Sequence, residues 1–232
     1  MPFQRLRVTY RNSRSTEPSS ERPLGNLGRT WHDAFEAAGL RLARPEGSKR
    51  ARIETGPPLP QDTTGEAELV DAVLAAPADP QVVVTRLSAT LPDGLEPCHA
   101  EEIGERLPSL GASVRAARYR ATFEGPLHPH DLAARVSALL ALQTLDWEEQ
   151  RGERIRRFDL RPLVYDLRVS STAGGAAVEM RLALSQERSV RPASVLAALG
   201  VADCGAVLSR TAIEVDRPLV AIRAWRERGR FE

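Results

Sequence analysis

The chain has 232 residues, 42% of them hydrophobic and 27% charged, with a net charge of +1. That balance is too apolar for a disordered segment, and no apolar run approaches the ~18 residues that a membrane-spanning helix needs. Two cysteines, Cys98 and Cys204, are too few for a disulfide framework, a cysteine-bound zinc or an iron–sulfur cluster, so neither metal nor cofactor is expected. The start, Met1-Pro2-Phe3-Gln4-Arg5, lacks the hydrophobic core of a signal peptide, and the reading is a cytoplasmic protein.

The first predicted strand is Arg5-Leu6-Arg7-Val8-Thr9-Tyr10-Arg11, whose period of two places Leu6, Val8 and Tyr10 on a buried face and the arginines on a wet one. Residues 12–26, rich in Ser, Pro, Glu and Arg, read as a mobile loop. A helix from Gly28 to Ala38 puts Trp31, Ala34, Phe35 and Ala38 on one stripe, and Gly39 suits the left-handed residue just past its end. Strands follow at Ala51–Thr55 and Ala67–Leu74, then a helix from Asp79 to Leu91 with Val83, Leu87 and Leu91 on one face, stopped by Pro92-Asp93-Gly94. Leu95–Ile103 supplies another strand.

A similar order then recurs. The spacing predicts a strand over Ala112–Phe123, a helix over Pro129–Leu142, strand material over Leu145–Val169 broken near Arg151-Gly152, and a strand over Ala176–Gln186. Pro192–Leu199 reads as a short helix and Ala206–Val215 as a final strand. The predicted fold is therefore α+β: two ferredoxin-like βαββαβ halves with antiparallel sheets, an internal duplication of topology. The halves span residues 1–108 and 111–216, with a C-terminal tail over 217–232.

Charge is uneven along the chain. Residues 1–52 sum to +6, residues 53–110 to −9 and residues 111–232 to +4. The first strand of a ferredoxin-like unit is central in its sheet, so its arginine face meets solvent, another domain or a ligand such as RNA, whose phosphates guanidinium groups contact well. Arg5, Arg7, Arg11, Arg29, Lys49, Arg50 and Arg52 are the candidate binding surface.

Other clusters have plainer readings. His128-Pro129-His130-Asp131 has the residue types of a metal site but opens a helix, where Pro129 and Asp131 suit the first turn. In Cys98-His99-Ala100-Glu101-Glu102 a period of two makes the ligand types diverge, and the segment reads as a half-buried strand with a structural Cys98. Ser170-Ser171-Thr172-Ala173-Gly174-Gly175 lacks the lysine of a phosphate loop and reads as a hairpin turn. No catalytic residues are assigned. The alternative to a binding protein is an enzyme working in a cleft between the halves, with Arg29, His32 and Asp33 as its acid–base set; a third reading is a scaffold in a larger assembly.

Ala38-Gly39-Leu40, Leu59-Pro60, Gly65-Glu66-Ala67-Glu68, Asp159-Leu160-Arg161-Pro162, Ser189-Val190-Arg191-Pro192 and Ser209-Arg210-Thr211, in this order and spacing, resemble the radical-SAM-linked protein family, also called domain of unknown function 2344. The resemblance implies a non-catalytic accessory protein whose partners are a radical SAM enzyme or RNA, in RNA modification or ribosome maturation. The chain departs from the family at Pro23-Leu24-Gly25-Asn26, which replaces Ser-His-Leu-Asp, while Arg29 is retained. In the second polar motif only Gly47 survives.

Overall fold

Strand β1 (Gln4–Asn12) follows its alternation: Leu6, Val8 and Tyr10 enter a core that also holds Trp31 and Phe35. The structure is a computed structural model that describes residues 3–13, 27–44, 47, 51–60, 62–104, 106–125, 127–151 and 154–216. The expected loop therefore lies, from residue 14 on, outside the described residues, as does the tail over 217–232.

Helix α1 (Leu27–Ala37) buries Trp31, Ala34 and Phe35 of the predicted stripe, while Ala38 lies just past its end and is half-buried. Gly39 has φ +70 and ends it, its amide donating to the Glu36 carbonyl at 3.0 Å. Strands β2 (Ile53–Thr55) and β3 (Thr63–Leu74) come next, then α2 (Pro80–Ser88) and β4 (Leu95–Glu102). Asp79 caps α2 by accepting from the Gln81 amide at 2.7 Å, and Pro80 fills the first turn, where its missing N–H costs nothing. The helix stops at Ser88, before the predicted Leu91: the amides of Ala89 and Thr90 close a tighter last turn onto the Arg86 and Leu87 carbonyls, and the Thr90 hydroxyl donates to the Ala34 carbonyl of α1 at 3.0 Å.

The second stretch opens differently from its prediction. Leu110–Ser113 is a helical turn, α3, because Ser109 caps Ala112 and the Glu54 carboxylate accepts from the amides of Leu110 and Gly111 at 2.8 Å each. Then come β5 (Val114–Glu124), α4 (Pro129–Ala141), the hairpin β6 (Asp146–Arg151) and β7 (Arg154–Asp159), a 3-10 turn at Arg161–Leu163, β8 (Val164–Thr172), β9 (Gly175–Ala183), α5 (Pro192–Ala198) and β10 (Val207–Val215). The predicted break near Arg151-Gly152 is the tip of the β6–β7 hairpin, which forms a small sheet of its own. Ala173-Gly174 makes the turn between β8 and β9.

These elements give a mixed α+β fold built on a mostly antiparallel sheet. Eight strands join in the order β4-β1-β3-β10-β5-β9-β8, with β2 also paired to β3. The expectation of two separate sheets is corrected: the last strand crosses back, and Leu208, Ser209 and Arg210 of β10 pair in parallel with Thr63, Thr64 and Gly65 of β3. The rest of β3, Val70–Ala72, takes β2 instead. Sequence periodicity is silent about such a seam, because pairing partners 145 residues apart leave no local pattern.

One core lies under α1 and α2, the other under α4 and α5 with Tyr119, Phe123, Leu160 and Met180. A small third cluster of Leu69, Leu110, Val114 and Ile213 lies between them.

A Cβ at Gly39 would meet nothing within 4 Å, so only the backbone conformation opposes substitution there. Gly39→Ala should cost about 1 kcal/mol and Gly39→Val more, read as a lowered urea midpoint; a midpoint unmoved by valine would refute the assignment.

Candidate functional site

The predicted arginine surface divides on folding. Arg5 and Arg7 are buried, and both reach Asp71, which is 3% exposed. Arg7 donates from Nε to Oδ1 at 2.7 Å and from Nη2 to Oδ2 at 2.9 Å, while Arg5 donates from Nη2 to Oδ2 at 2.9 Å. Arg5 also donates to the carbonyls of Leu107 and Pro108, at 2.7 and 2.9 Å. The face expected to be wet is therefore covered, because the chain after β4 returns across it. These guanidinium groups are structural counter-ions.

The remaining members are scattered. Arg11 is exposed and lies 3.8 Å from Glu96, and Arg29 is exposed on α1, 3.8 Å from Asp33. Lys49 and Arg50 lie outside the described residues. Arg52 is exposed and, with Arg5, Glu54 and Asp71, lines an open cleft of about 310 Å³.

The sheet exposes a larger set of arginines in its second part. Arg118 and Arg120 of β5, Arg168 of β8 and Arg181 of β9 stand on the face away from the core, with side chains between 39% and 76% exposed. They alternate with the buried Tyr119 and Ala121, with Leu167, and with Met180 and Leu182. Arg118 and Arg181 are directly opposite, a like-charge pair that Glu214 of β10 relieves by accepting from both at 2.7 Å. Arg120 donates to Glu179 at 2.7 Å and Arg168 to Asp166 at 2.8 Å. Tyr165, 45% exposed, lies 5.1 Å from the Arg181 guanidinium. Hydrogen bonding from Arg181, helped by Arg118, holds the Glu214 carboxyl below the usual carboxylate range. The signal was legible: Arg118-Tyr119-Arg120 has the same alternation as the first strand.

A second buried pair sits at the seam. Arg210, with no exposed surface, donates from Nε to Glu68 Oε1 at 2.8 Å and from Nη2 to Oε2. It also donates to the carbonyls of Pro57 and Pro58, at 2.7 and 3.3 Å. Burial by itself would lower the guanidinium pKa; the Glu68 hydrogen bonds and charge overcome it and raise it. Burial pushes the phenol of Tyr10 well above the usual tyrosine range and raises that of Tyr119.

Over residues 5–192 the chain matches the family described as uncharacterized proteins conserved in bacteria, domain of unknown function 2344. The chain belongs to this family. No curated protein matches it. Among solved structures it is similar to an unknown protein from Galdieria sulphuraria, at 12% identity, with 93% of this chain and 100% of that chain covered and a TM-score of 0.26.

The segments that carry the resemblance to domain of unknown function 2344 turn out to be fasteners. Gly65-Glu66-Ala67-Glu68 meets Ser209-Arg210-Thr211: Glu68 holds Arg210, and Glu66 accepts from the Ser209 hydroxyl at 2.8 Å. Gly65 is glycine because a Cβ there would come 2.5 Å from the Glu68 side chain. Asp159 accepts from the amides of Leu145 and Arg161, and Arg161 donates to the carbonyls of Leu140, Leu142 and Val164. Arg191 lies 3.4 Å from Glu149, pinning the start of α5 to the hairpin.

The other sequence candidates stay apart. Arg29, His32 and Asp33 lie together on an exposed stretch of α1, with the His32 Nδ1 3.2 Å from Asp33 Oδ1, and line neither described depression. His128 precedes α4 without a side-chain capping bond, and Pro129 and Asp131 both lie in its first turn. Among the described residues no three His, Cys, Asp or Glu side chains gather as a metal site requires. Cys98 is exposed, not half-buried: Thr9 pairs with His99 but Tyr10 with Pro97, so Cys98 is the extra residue of a bulge that breaks the alternation. Among the described residues no helix is long and apolar enough to cross a membrane.

Asp71→Asn leaves two buried guanidinium groups without a counter-charge and should cost about 3–5 kcal/mol, measured by urea unfolding. Native-like stability in that variant would mean the cluster is open to water. Acid stability carries a separate signature. Because its folded pKa is depressed, Glu214 contributes stability that is complete above the ordinary carboxylate range and is lost as pH falls through the lower folded value. Glu214→Gln should flatten the acid limb of the stability curve in that window, and a limb identical to wild type would rule out this contribution.

Proposed function

We propose that the protein is a non-catalytic accessory component that binds RNA through the open face of β10-β5-β9-β8 and works beside a radical SAM enzyme in RNA modification or ribosome maturation. The single observation that carries the binding reading is the set Arg118, Arg120, Arg168 and Arg181 on one exposed sheet face with Tyr165 among them. Guanidinium groups recognise phosphate bidentately, and an exposed tyrosine offers a ring for a base. The carboxylates on this face do not oppose that use. Exposed ion pairs contribute about 0–1 kcal/mol each, so an arginine exchanges a carboxylate for a phosphate at little cost.

The fold supports the same reading. The orders β4-β1-β3-β2 and β10-β5-β9-β8, each with a helix after its first and third strands, favour two ferredoxin-like units over residues 1–108 and 111–216, the β6–β7 hairpin being an insertion. Such a unit covers one sheet face with helices and leaves the other for binding. The radical SAM partner and the cytoplasmic setting rest on the family resemblance and on sequence composition.

Fluorescence anisotropy with a single-stranded RNA at low salt tests the binding step. Wild type should bind with strong salt dependence, each lost phosphate contact flattening the slope of log affinity against log salt by about 0.7. Replacing Arg120 and Arg168 by glutamine should weaken binding to all sequences alike, since phosphate contacts position without specifying. Absence of binding by the wild type would refute the RNA reading, and affinity purification from the native host that returns no radical SAM enzyme would refute the partner.

A further inference from the structure

A depression of about 410 Å³ lies between the chain that leaves α1 and the start of α2, far in sequence from the arginine face. Its base is apolar, made by Leu40 and Leu74, both buried. Gly39 creates it: the left-handed turn sends Leu40 and Arg41 back along the end of β3, where the Arg41 carbonyl accepts from the Ala75 amide at 2.9 Å and Leu42 bridges Leu74. The opposite wall is one face of α2. Asp79, Val82 and Arg86 are spaced i, i+3, i+7 and so stand in a row, while Val83 and Leu87 turn to the core.

Two features of the depression are not explained by folding. Val82 is 43% exposed, an apolar side chain on a helix that already buries its other face. Arg41 and Arg86 are both exposed and both line the depression, and among the described residues neither guanidinium has an ion-pair or hydrogen-bond partner. The buried arginines of the sheet show the contrast: Arg5 is held by Asp71 and two carbonyls, Arg7 by Asp71, and Arg210 by Glu68 and two carbonyls. Asp79 is engaged, its carboxylate accepting from the Gln81 amide. Arg41, Arg86 and Asp79 together give the lining a net charge of +1.

We infer that this depression is a binding site for a small ligand with one anionic group, phosphate or carboxylate, and an adjoining apolar body. Arg41 and Arg86 hold the anionic group from opposite walls, and Val82 and Pro77 take the apolar part. The excess positive charge of the lining suits an anionic group, and none of its residues belongs to the proposed RNA face.

Titration calorimetry with inorganic phosphate, phenyl phosphate and benzoate tests the site and separates the two anion sources. Phenyl phosphate or benzoate should bind about tenfold more tightly than inorganic phosphate, because only they bury apolar surface on Val82 and Pro77. Arg41→Gln and Arg86→Gln should each weaken binding roughly tenfold or more, with unfolding midpoints unchanged because neither side chain has a partner in the fold. Val82→Ser should remove the advantage of the aromatic probes while leaving inorganic phosphate as it was. Binding that survives in the double arginine variant, or no binding of any probe by the wild type, overturns the assignment. Neither result touches the RNA reading, whose residues lie on the other face.

Discussion

The fold depends on one ion pair. Glu68 and Arg210 are 142 positions apart, both are buried, and together they fasten the last strand of the chain to the third. A lone buried charge costs several kcal/mol, so each group requires the other. The guanidinium has donors left over after the carboxylate, and it uses them on the carbonyls of Pro57 and Pro58, which ties the segment between β2 and β3 to the same point. Tyr10 and Tyr119, one from each large core, pack around this pair and shield it from water. Through it two hydrophobic cores share one sheet.

Two strands with the same pattern show what alternation can and cannot say. In β1 and in β5, arginines alternate with apolar residues, and in both the apolar side faces a core. Arg5 and Arg7 of β1 are nevertheless sealed, while the arginines of β5 are open. What differs is elsewhere in the chain: the segment after β4 lays the carbonyls of Leu107 and Pro108 over Arg5, and Asp71 stands beside both arginines on β3. Period two assigns a side to each residue. It does not tell what later chain will cover that side, which is why Arg5 and Arg7 are covered and the like-patterned arginines of β5 are not.

The legible parts of the fold were those set by local rules. The α1 stripe, the glycine after it, the Asp79-Pro80 start of α2 and the hairpin turn at Ala173-Gly174 follow from helix periodicity, capping and turn chemistry, all read within a few residues. The illegible parts are those where distant chain intervenes. Glu54 reaches 56 positions forward to start α3 where a strand was expected, and a single extra residue in β4 turns Cys98 outward. The parallel contact between β3 and β10 involves three residues on each side, too short to impose any period on the sequence. Its marks were there as chemistry, an acidic residue within one motif of the family and an arginine within another.

The crossover also fixes an order of events during synthesis. The first four strands leave the ribosome with Glu68 and the Thr63–Gly65 edge in place, but their partners on β10 emerge only about 140 residues later. At roughly 5–20 residues per second that interval is on the order of ten seconds. For that time the nascent chain holds an unpaired strand edge and a carboxylate positioned for burial without its cation, the kind of edge on which other strands add. The amino-terminal part is thus structurally complete only when the carboxy-terminal strand arrives, and a chain truncated before residue 207 ends with that edge still open.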